Sequence, residues 1–251
     1  YPEHKGNLDL WKNGMDSGVF VPQFHGREHL NYKRWLNDLT SEDEKVRYTF
    51  GWGATYSGNG DYNYMEAFDW DKQEDVTEHE IVIKEGLELF HNYFGFHSKS
   101  FIAPCYNWDP SREKVLAEGQ ISIIQGIRNQ YAPTGAFDKY RLIRHSFGEL
   151  NSFGSFYNIR NCFFEPSMNP YKDWVDSCMA QVSSAFLFGK PAVICSHRVN
   201  YIGFIEPKNR SRGLKNLHRL LRMITEKWPD VRFISTDQLV DILKPNIISP
   251  D

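Results

Sequence analysis

Apolar residues fall at steps of three and four between Ser211 and Trp228. Leu214, Leu217, Leu221, Ile224 and Trp228 line one face there, and Pro229 ends the run. That period predicts an amphipathic helix. Similar signals predict helices over Leu8–Met15, after Asn31 with Trp35, Leu36 and Leu39, from the Ser41/Glu44 pair to about Phe50, and from the Thr77/Glu80 pair through Ile81–Phe94. Others are expected from Asp109-Pro110 to Gly119, over Asp173–Phe188 and over Asp237–Leu243. Ser or Thr with Glu three residues on is a capping box, Asp-Pro provides an N-cap and a first-turn proline, and Gly95, Gly119 and Gly189 stand where helices stop. Short β-branched and apolar runs predict strands at 19–24, 100–105, 121–125, 156–164, 191–196 and 231–235. Strands alternating with helices imply parallel β–α units, hence an α/β fold, with one further strand expected ahead of Tyr1. No low-complexity linker or internal repeat divides the chain, so residues 1–251 read as one domain.

Residues 51–75 break the pattern. Glycines, aromatics and turn formers alternate there without a period, and loops of that length are usually functional or disordered. The stretch reads as an insertion over the face where strand ends gather, although a packed loop would look the same. Residues 128–155 are loop-rich and predict no regular element.

The chemistry centres on Val19–Leu30. A strand-like opening gives way at Phe24, and His25 and His29 follow, four residues apart. A helical turn starting at His25 would set both imidazoles on one face. Neutral imidazole is the commonest protein metal ligand, and two of them make half of a tetrahedral zinc shell. Two surface histidines are the plainer alternative. Other polar groups also follow predicted strand ends: Tyr106, Asn107, Trp108 and Asp109, then Glu165, then His197 and Arg198. In a barrel such loops face one mouth, where two histidines could bind a metal and a third could handle protons.

Composition narrows the partners. A net charge of −3 leaves no basic footprint over the whole chain, which argues against nucleic acid. No apolar run approaches the roughly 18 residues of a membrane span. Aromatic residues make up 15% of the chain, and flat rings of this kind stack on sugar faces. Trp52, Tyr56 and Trp70 are the candidate platforms. Cys105, Cys162, Cys178 and Cys195 form no C-x-x-C pair, which fits four reduced thiols and leans to a cytoplasmic setting.

His25-Gly26-Arg27-Glu28-His29 resembles the His-[Ser/Thr]-x-x-His motif of the polysaccharide deacetylase family, carbohydrate esterase family four, with Gly26 at the Ser/Thr position. Ile102-Ala103-Pro104-Cys105 is similar in part to the family's Arg-x-Pro-[Tyr/Phe] motif, and Ile194-Cys195-Ser196-His197 to its late Leu-x-His motif. The order and intervals agree from about residue 8 to 243. A divergent polysaccharide (de)acetylase subset looks closer still, at Phe24–Leu30 and at Ser196-His197-Arg198. The resemblance implies a distorted (β/α)7 barrel whose first strand is missing from this chain. It implies a divalent metal, zinc by preference, on His25 and His29, and His197 as the catalytic acid. It also implies an oxyanion contact from a backbone N–H near Cys105 or Tyr106. There are departures. Nothing matches the family's Thr-Phe-Asp-Asp-Gly motif, which carries its base and a metal ligand and would lie on the missing strand. Ile102 stands where the family has arginine, and Arg198 where it has an acid.

These readings lead to a metal-dependent hydrolase that removes acetyl groups from a polysaccharide or oligosaccharide. Cys105, Tyr106, Trp108, Trp52, Tyr56 and Trp70 would bind the carbohydrate. Because Arg198 would oppose protonation of His197, a carboxylate such as Asp173 or Glu165 is expected to offset it. One rival is a non-catalytic saccharide-binding barrel that has lost this chemistry. Another is a glycoside hydrolase drawing a carboxylate pair from Glu28, Glu66, Asp69, Asp71, Asp109 and Glu165.

Overall fold

The computed structural model describes residues 5–41, 44–56, 64–136 and 139–244. The chain forms two compact units, one of Tyr1–Tyr157 with Ser235–Asp251 and one of Asn158–Ile234.

In the first unit the predicted helices form at α1 (Asn7–Asp16), α2 (Tyr32–Thr40), α3 (Glu44–Gly51) and α4 (Gln73–Phe94). Asn31 caps α2 by accepting a hydrogen bond from the Arg34 N–H at 3.2 Å. Helix α4 starts a turn earlier than the Thr77/Glu80 pair predicts. Asp75 sits at its third position and accepts from the N–H groups of Lys72 (2.9 Å) and Asp71 (3.2 Å), so the box closes on Asp75 instead. Gly95 ends α4 in the left-handed region at φ 78°.

Strands β1 (Ser100–Ile102) and β2 (Ile123–Gly126) pair in parallel, and β5 (Phe156–Ile159) lies beyond β2. The strand expected at 19–24 reduces to a parallel bridge from Phe24 to Phe101. Pro22 has no N–H to give a ladder, and the Phe24 N–H goes to the Ser98 hydroxyl at 3.1 Å. The expected strand at 100–105 stops at Ile102, because Pro104 opens a 3₁₀ turn, Pro104–Tyr106. Asp109 and Pro110 open a second such turn that runs into α5 (Glu113–Glu118). Residues 128–155 hold what the pattern missed, an antiparallel hairpin of β3 (Asn129–Pro133) and β4 (Tyr140–Arg144). Its second strand, Tyr-Arg-Leu-Ile-Arg, is half-solvated and mixes charge with apolar residues, so neither period shows. Helix α8 (Thr236–Leu243) takes a reciprocal cap from Ser235 and Gln238. Its Leu239 and Val240 bury against Ile123 and Phe156.

The second unit contains β6 (Cys162–Phe163), α6 (Trp174–Leu187), β7 (Ile194–Cys195) and α7 (Pro207–Lys227), with β6 and β7 parallel. The run 156–164 is therefore two short strands. Val231–Ser235 forms no strand: the Val231 N–H turns back to the Trp228 carbonyl, and Ser235 caps α8. Val175, Cys178, Met179 and Val182 of α6 pack with Leu220 and Ile224 of α7 and with Cys162 and Phe164. Burial pushes the thiols of Cys162 and Cys178 up to about 12 and about 11, so both behave as apolar filling. Among the described residues these pairings make a mixed α/β fold with parallel strands.

Gly213 lets α7 lie directly on the 3₁₀ turn Arg198–Tyr201, since an added Cβ would stand 1.9 Å from the Asn200 carbonyl oxygen. Gly213→Ala should lower stability by about 1–3 kcal/mol, because overpacking against backbone outweighs the helix-propensity gain of about 1 kcal/mol. Denaturant unfolding measures the balance, and a neutral or stabilising result would refute the close contact.

His79 tests the core of the first unit. Its ring is buried in α4, its Nδ1 has no hydrogen-bond partner, and burial, with Arg112 nearby, lowers its pKa from 6.5 to about 4. The unfolded chain therefore takes up this proton as pH falls through 6.5, and the folded chain not until about 4. His79 thus favours the fold above pH 6.5 and progressively less down to about 4. Melting temperature should fall more steeply across that window in the wild type than in His79→Leu.

Candidate functional site

In the second unit, Glu165, Cys195 and His197 converge where the parallel strands β6 and β7 end. Each offers a ligand-type atom, all within 4.8 Å of one another. Glu165 is buried, yet five hydrogen bonds reach its carboxyl group, the longest from the Cys195 thiol at 3.9 Å. Oε1 lies 2.6 Å from Nδ1 of His197, and the backbone N–H of His197 approaches both oxygens at 3.2 and 3.3 Å. The Asn200 amide donates to Oε2 at 2.7 Å. Asn200 is itself fully buried; it also donates to the His197 carbonyl (2.8 Å) and accepts from the Ser167 N–H (2.9 Å). One of these donors, Asn200, belongs to the 3₁₀ turn and two others to its N-cap residue His197, so the fold of the turn and the orientation of the imidazole are set together.

The His197 side chain is 65% exposed although its Nδ1 is tied to a group that is 5% exposed. Because Glu165 Oε1 accepts at Nδ1, Nδ1 carries the hydrogen and Nε2 is the nitrogen reached from solvent. This is the arrangement of an oriented acid–base histidine. The offsetting carboxylate is Glu165. Asp173 caps α6 and pairs with Arg219 instead.

The same three residues could hold a divalent ion, with Cys195 and His197 two residues apart on one strand end. The present spacing favours the hydrogen-bonded form. A separation of 2.6 Å between Oε1 and Nδ1 fits a shared proton better than two ligands each about 2 Å from a metal, and the Arg160 guanidinium, 3.5 Å from Cys195 Sγ, opposes a cation.

In the first unit His25 and His29 do meet, their ring centroids 5.0 Å apart and edge-to-face. They meet through a loop, not a helical turn. Gly26 takes φ +93°, and Gly86 of α4 lets Phe24 and the Arg27 backbone lie against it, where an added Cβ would stand 2.9–3.0 Å away. Nδ1 of His25 bonds the Ile102 carbonyl at 2.8 Å, the kind of outer contact that orients a metal-ligating histidine toward Nε2. Two exposed imidazoles so placed fit as two ligands of one ion. Among the described residues no third His, Cys, Asp or Glu joins them.

The remaining predicted residues separate. Cys105 and Tyr106 take consecutive positive φ values of 54° and 57° after β1. The Tyr106 N–H is given to the Ala103 carbonyl at 3.1 Å and so serves the turn. Cys105 is exposed, and partial burial with Glu66 nearby raises its thiol pKa. Trp108, expected to meet ligand, is buried and donates to Glu113 at 3.1 Å. Its indole is a wall of the interior, not a platform. Trp70 packs against Gly135 at the β3–β4 turn. Trp52 and Tyr56 are exposed, and Tyr56 lines an open cavity of about 500 Å³ with Tyr48, Thr49, Glu44 and Lys45. Residues 57–63 of the expected insertion lie outside the described residues.

The carboxylates offered for glycoside hydrolysis have structural occupations. Arg34, itself buried, holds Asp69 at 2.6 Å and Asp71 at 2.7 and 3.0 Å. Glu66 accepts from the Tyr140 hydroxyl, Glu28 pairs with Arg27, and Asp109 caps its turn. Asn200 is the site residue that the sequence did not reveal. Its only local signal is a polar side chain between Val199 and Tyr201, three residues past His197.

No protein-family model matches the sequence, and no curated protein matches it. Among solved structures the chain is similar to the crystal structure of a "putative polysaccharide deacetylase" from Mycobacterium smegmatis. The identity is 14% and the TM-score 0.46, over 70% of this chain and 59% of that one. The chain thus spans less than two thirds of that protein, and a likeness of this depth assigns neither activity nor residue roles.

Glu165→Leu should strip acceptors from the His197 N–H and the Asn200 amide at once, at about 1–3 kcal/mol for each group left unsatisfied. Glu165→Gln, which keeps one acceptor oxygen, should cost less. Urea unfolding gives the two values. Nitrogen NMR of the neutral imidazole should show the Nδ1–H form of His197 in the wild type and a mixture of tautomers in Glu165→Leu. Equal tautomer populations in both proteins would mean that Glu165 does not orient the ring.

Proposed function

We propose that this protein is a metal-dependent hydrolase that removes acetyl groups from a saccharide, with His197 as its acid. The observation that carries the reading is the exposed imidazole of His197 fixed through Nδ1 to the buried Glu165 carboxyl. Its position in a segment that resembles the Leu-x-His motif of polysaccharide deacetylases gives that pair a task.

In the acid form both ring nitrogens bear hydrogen. Glu165 keeps the one on Nδ1, and Nε2–H is the one to give. Water adds to the acetyl carbonyl carbon and sheds a proton to solvent, the bond to the amine or alkoxide breaks, the departing group takes the Nε2 proton, and Nε2 is reprotonated from solvent. Such positioned proton transfer typically supplies about 10²–10⁴ in rate. His25 and His29 would hold the divalent ion, zinc by preference. Such an ion would supply Lewis acidity and make water a better nucleophile. Tyr56, which lines an open cavity, and the exposed Trp52 suit carbohydrate stacking better than Trp108 or Trp70 does.

His197→Ala should lower kcat for acetate release from an acetylated oligosaccharide by at least about a hundredfold, with metal content unchanged. Unchanged turnover would remove His197 from the chemistry, and loss of metal would make it a ligand. Elemental analysis separately tests the histidine pair. The wild type should bind close to one equivalent of zinc or cobalt, and His25→Ala or His29→Ala far less. A wild type that takes up neither ion would overturn the metal assignment.

A further inference from the structure

The segment that follows His197 raises an apolar tip on a braced base. Phe204 and Ile205 are 101% and 96% exposed, and Met168, Val199 and Ile202 are exposed as well. The base is well tied. The Asn209 amide of α7 donates to the carbonyls of Val199 (2.6 Å) and Ile202 (3.1 Å), and its oxygen accepts from the Ser167 hydroxyl at 2.8 Å. Gly203 lies so close to the first turn of α7 that an added Cβ would stand 3.0 Å from Arg210 and 3.1 Å from Pro207. Glu206 caps the helix through the Lys208 N–H. Phe204 and Ile205 thus sit on a braced loop between two anchored points.

The charge near the tip is mainly positive, Glu206 being its one adjacent carboxylate. Arg198, Lys208 and Arg210 are exposed beside it. Residues 158–234 carry twelve Lys and Arg against six Asp and Glu, a net of +6, in a chain whose total is −3. An exposed apolar tip flanked in the chain by exposed cations, on a unit of net positive charge, complements an anionic lipid surface. Apolar side chains enter the headgroup–acyl boundary while Lys and Arg meet lipid phosphates. A second copy docking through this same face would bring like charge to it and be repelled.

We propose that this unit docks on an anionic membrane surface, with Phe204 and Ile205 inserting and Arg198, Lys208 and Arg210 contacting headgroups. The proposal stands apart from the hydrolase reading, because binding alone tests it. The full chain is sedimented with vesicles of phosphatidylcholine, alone or mixed with phosphatidylglycerol. Binding to the mixed vesicles that weakens as salt is raised is the expected result. Phe204→Ser with Ile205→Ser, and separately Lys208→Glu with Arg210→Glu, should each reduce that binding at least about tenfold. Melting temperatures should stay unchanged, since all four side chains are exposed. Absence of binding to mixed vesicles would overturn the proposal, as would equal binding to neutral vesicles or binding that survives both double variants. A dimer in solution that Phe204→Ser with Ile205→Ser abolishes would assign the face to self-association and overturn it too.

Discussion

A carboxyl group taken out of water must be hydrogen-bonded on every side or it costs several kcal/mol. Glu165 meets that demand with groups that all lie between Cys195 and Asn200. The requirement fixes more than one contact. It holds β6 and β7 in step, closes the turn after His197, and orients the imidazole with Nε2 outward. The dense packing around it, in which α7 can approach the turn only because residue 213 is glycine, makes that orientation a property of the whole unit.

The same bond sets the choice between two chemistries at that place. Nδ1 of His197 can give its hydrogen to Glu165 or its lone pair to a metal, but not both. The 2.6 Å separation and the guanidinium of Arg160 beside Cys195 favour the hydrogen bond, and with it the Nδ1–H form of the ring. The histidine pair of the first unit has the opposite character. His25 has its Nδ1 against a main-chain carbonyl rather than a carboxylate.

A second buried charge organises the first unit. Arg34 meets Asp69 and Asp71, while Asn31 donates to the carbonyls of Glu66 and Asp69 at 3.2 and 3.0 Å. Together they moor the segment before α4 to α2. Carboxylates that look available in the sequence are thereby committed to structure. Asp69, despite the arginine, has its pKa raised, because the cost of burial is the larger effect.

The sequence by itself determined the helices, since caps, stops and a period of 3.6 are local signals. Asn31, Asp173 and Gly95 act where their residue types indicate. It also marked His25, His29 and His197 by their positions after apolar runs. Tertiary structure decided what these residues meet. The partner of His197 lies 32 residues away, that of His25 lies 77 away, and whether Trp108 faces solvent depended on Glu113 inside the unit. Strands were the least legible elements. A strand exists only through the ladder that another segment offers, so 19–24 shrank to one bridge and 231–235 to none, while the hairpin at 129–144 formed from residues with no telling pattern.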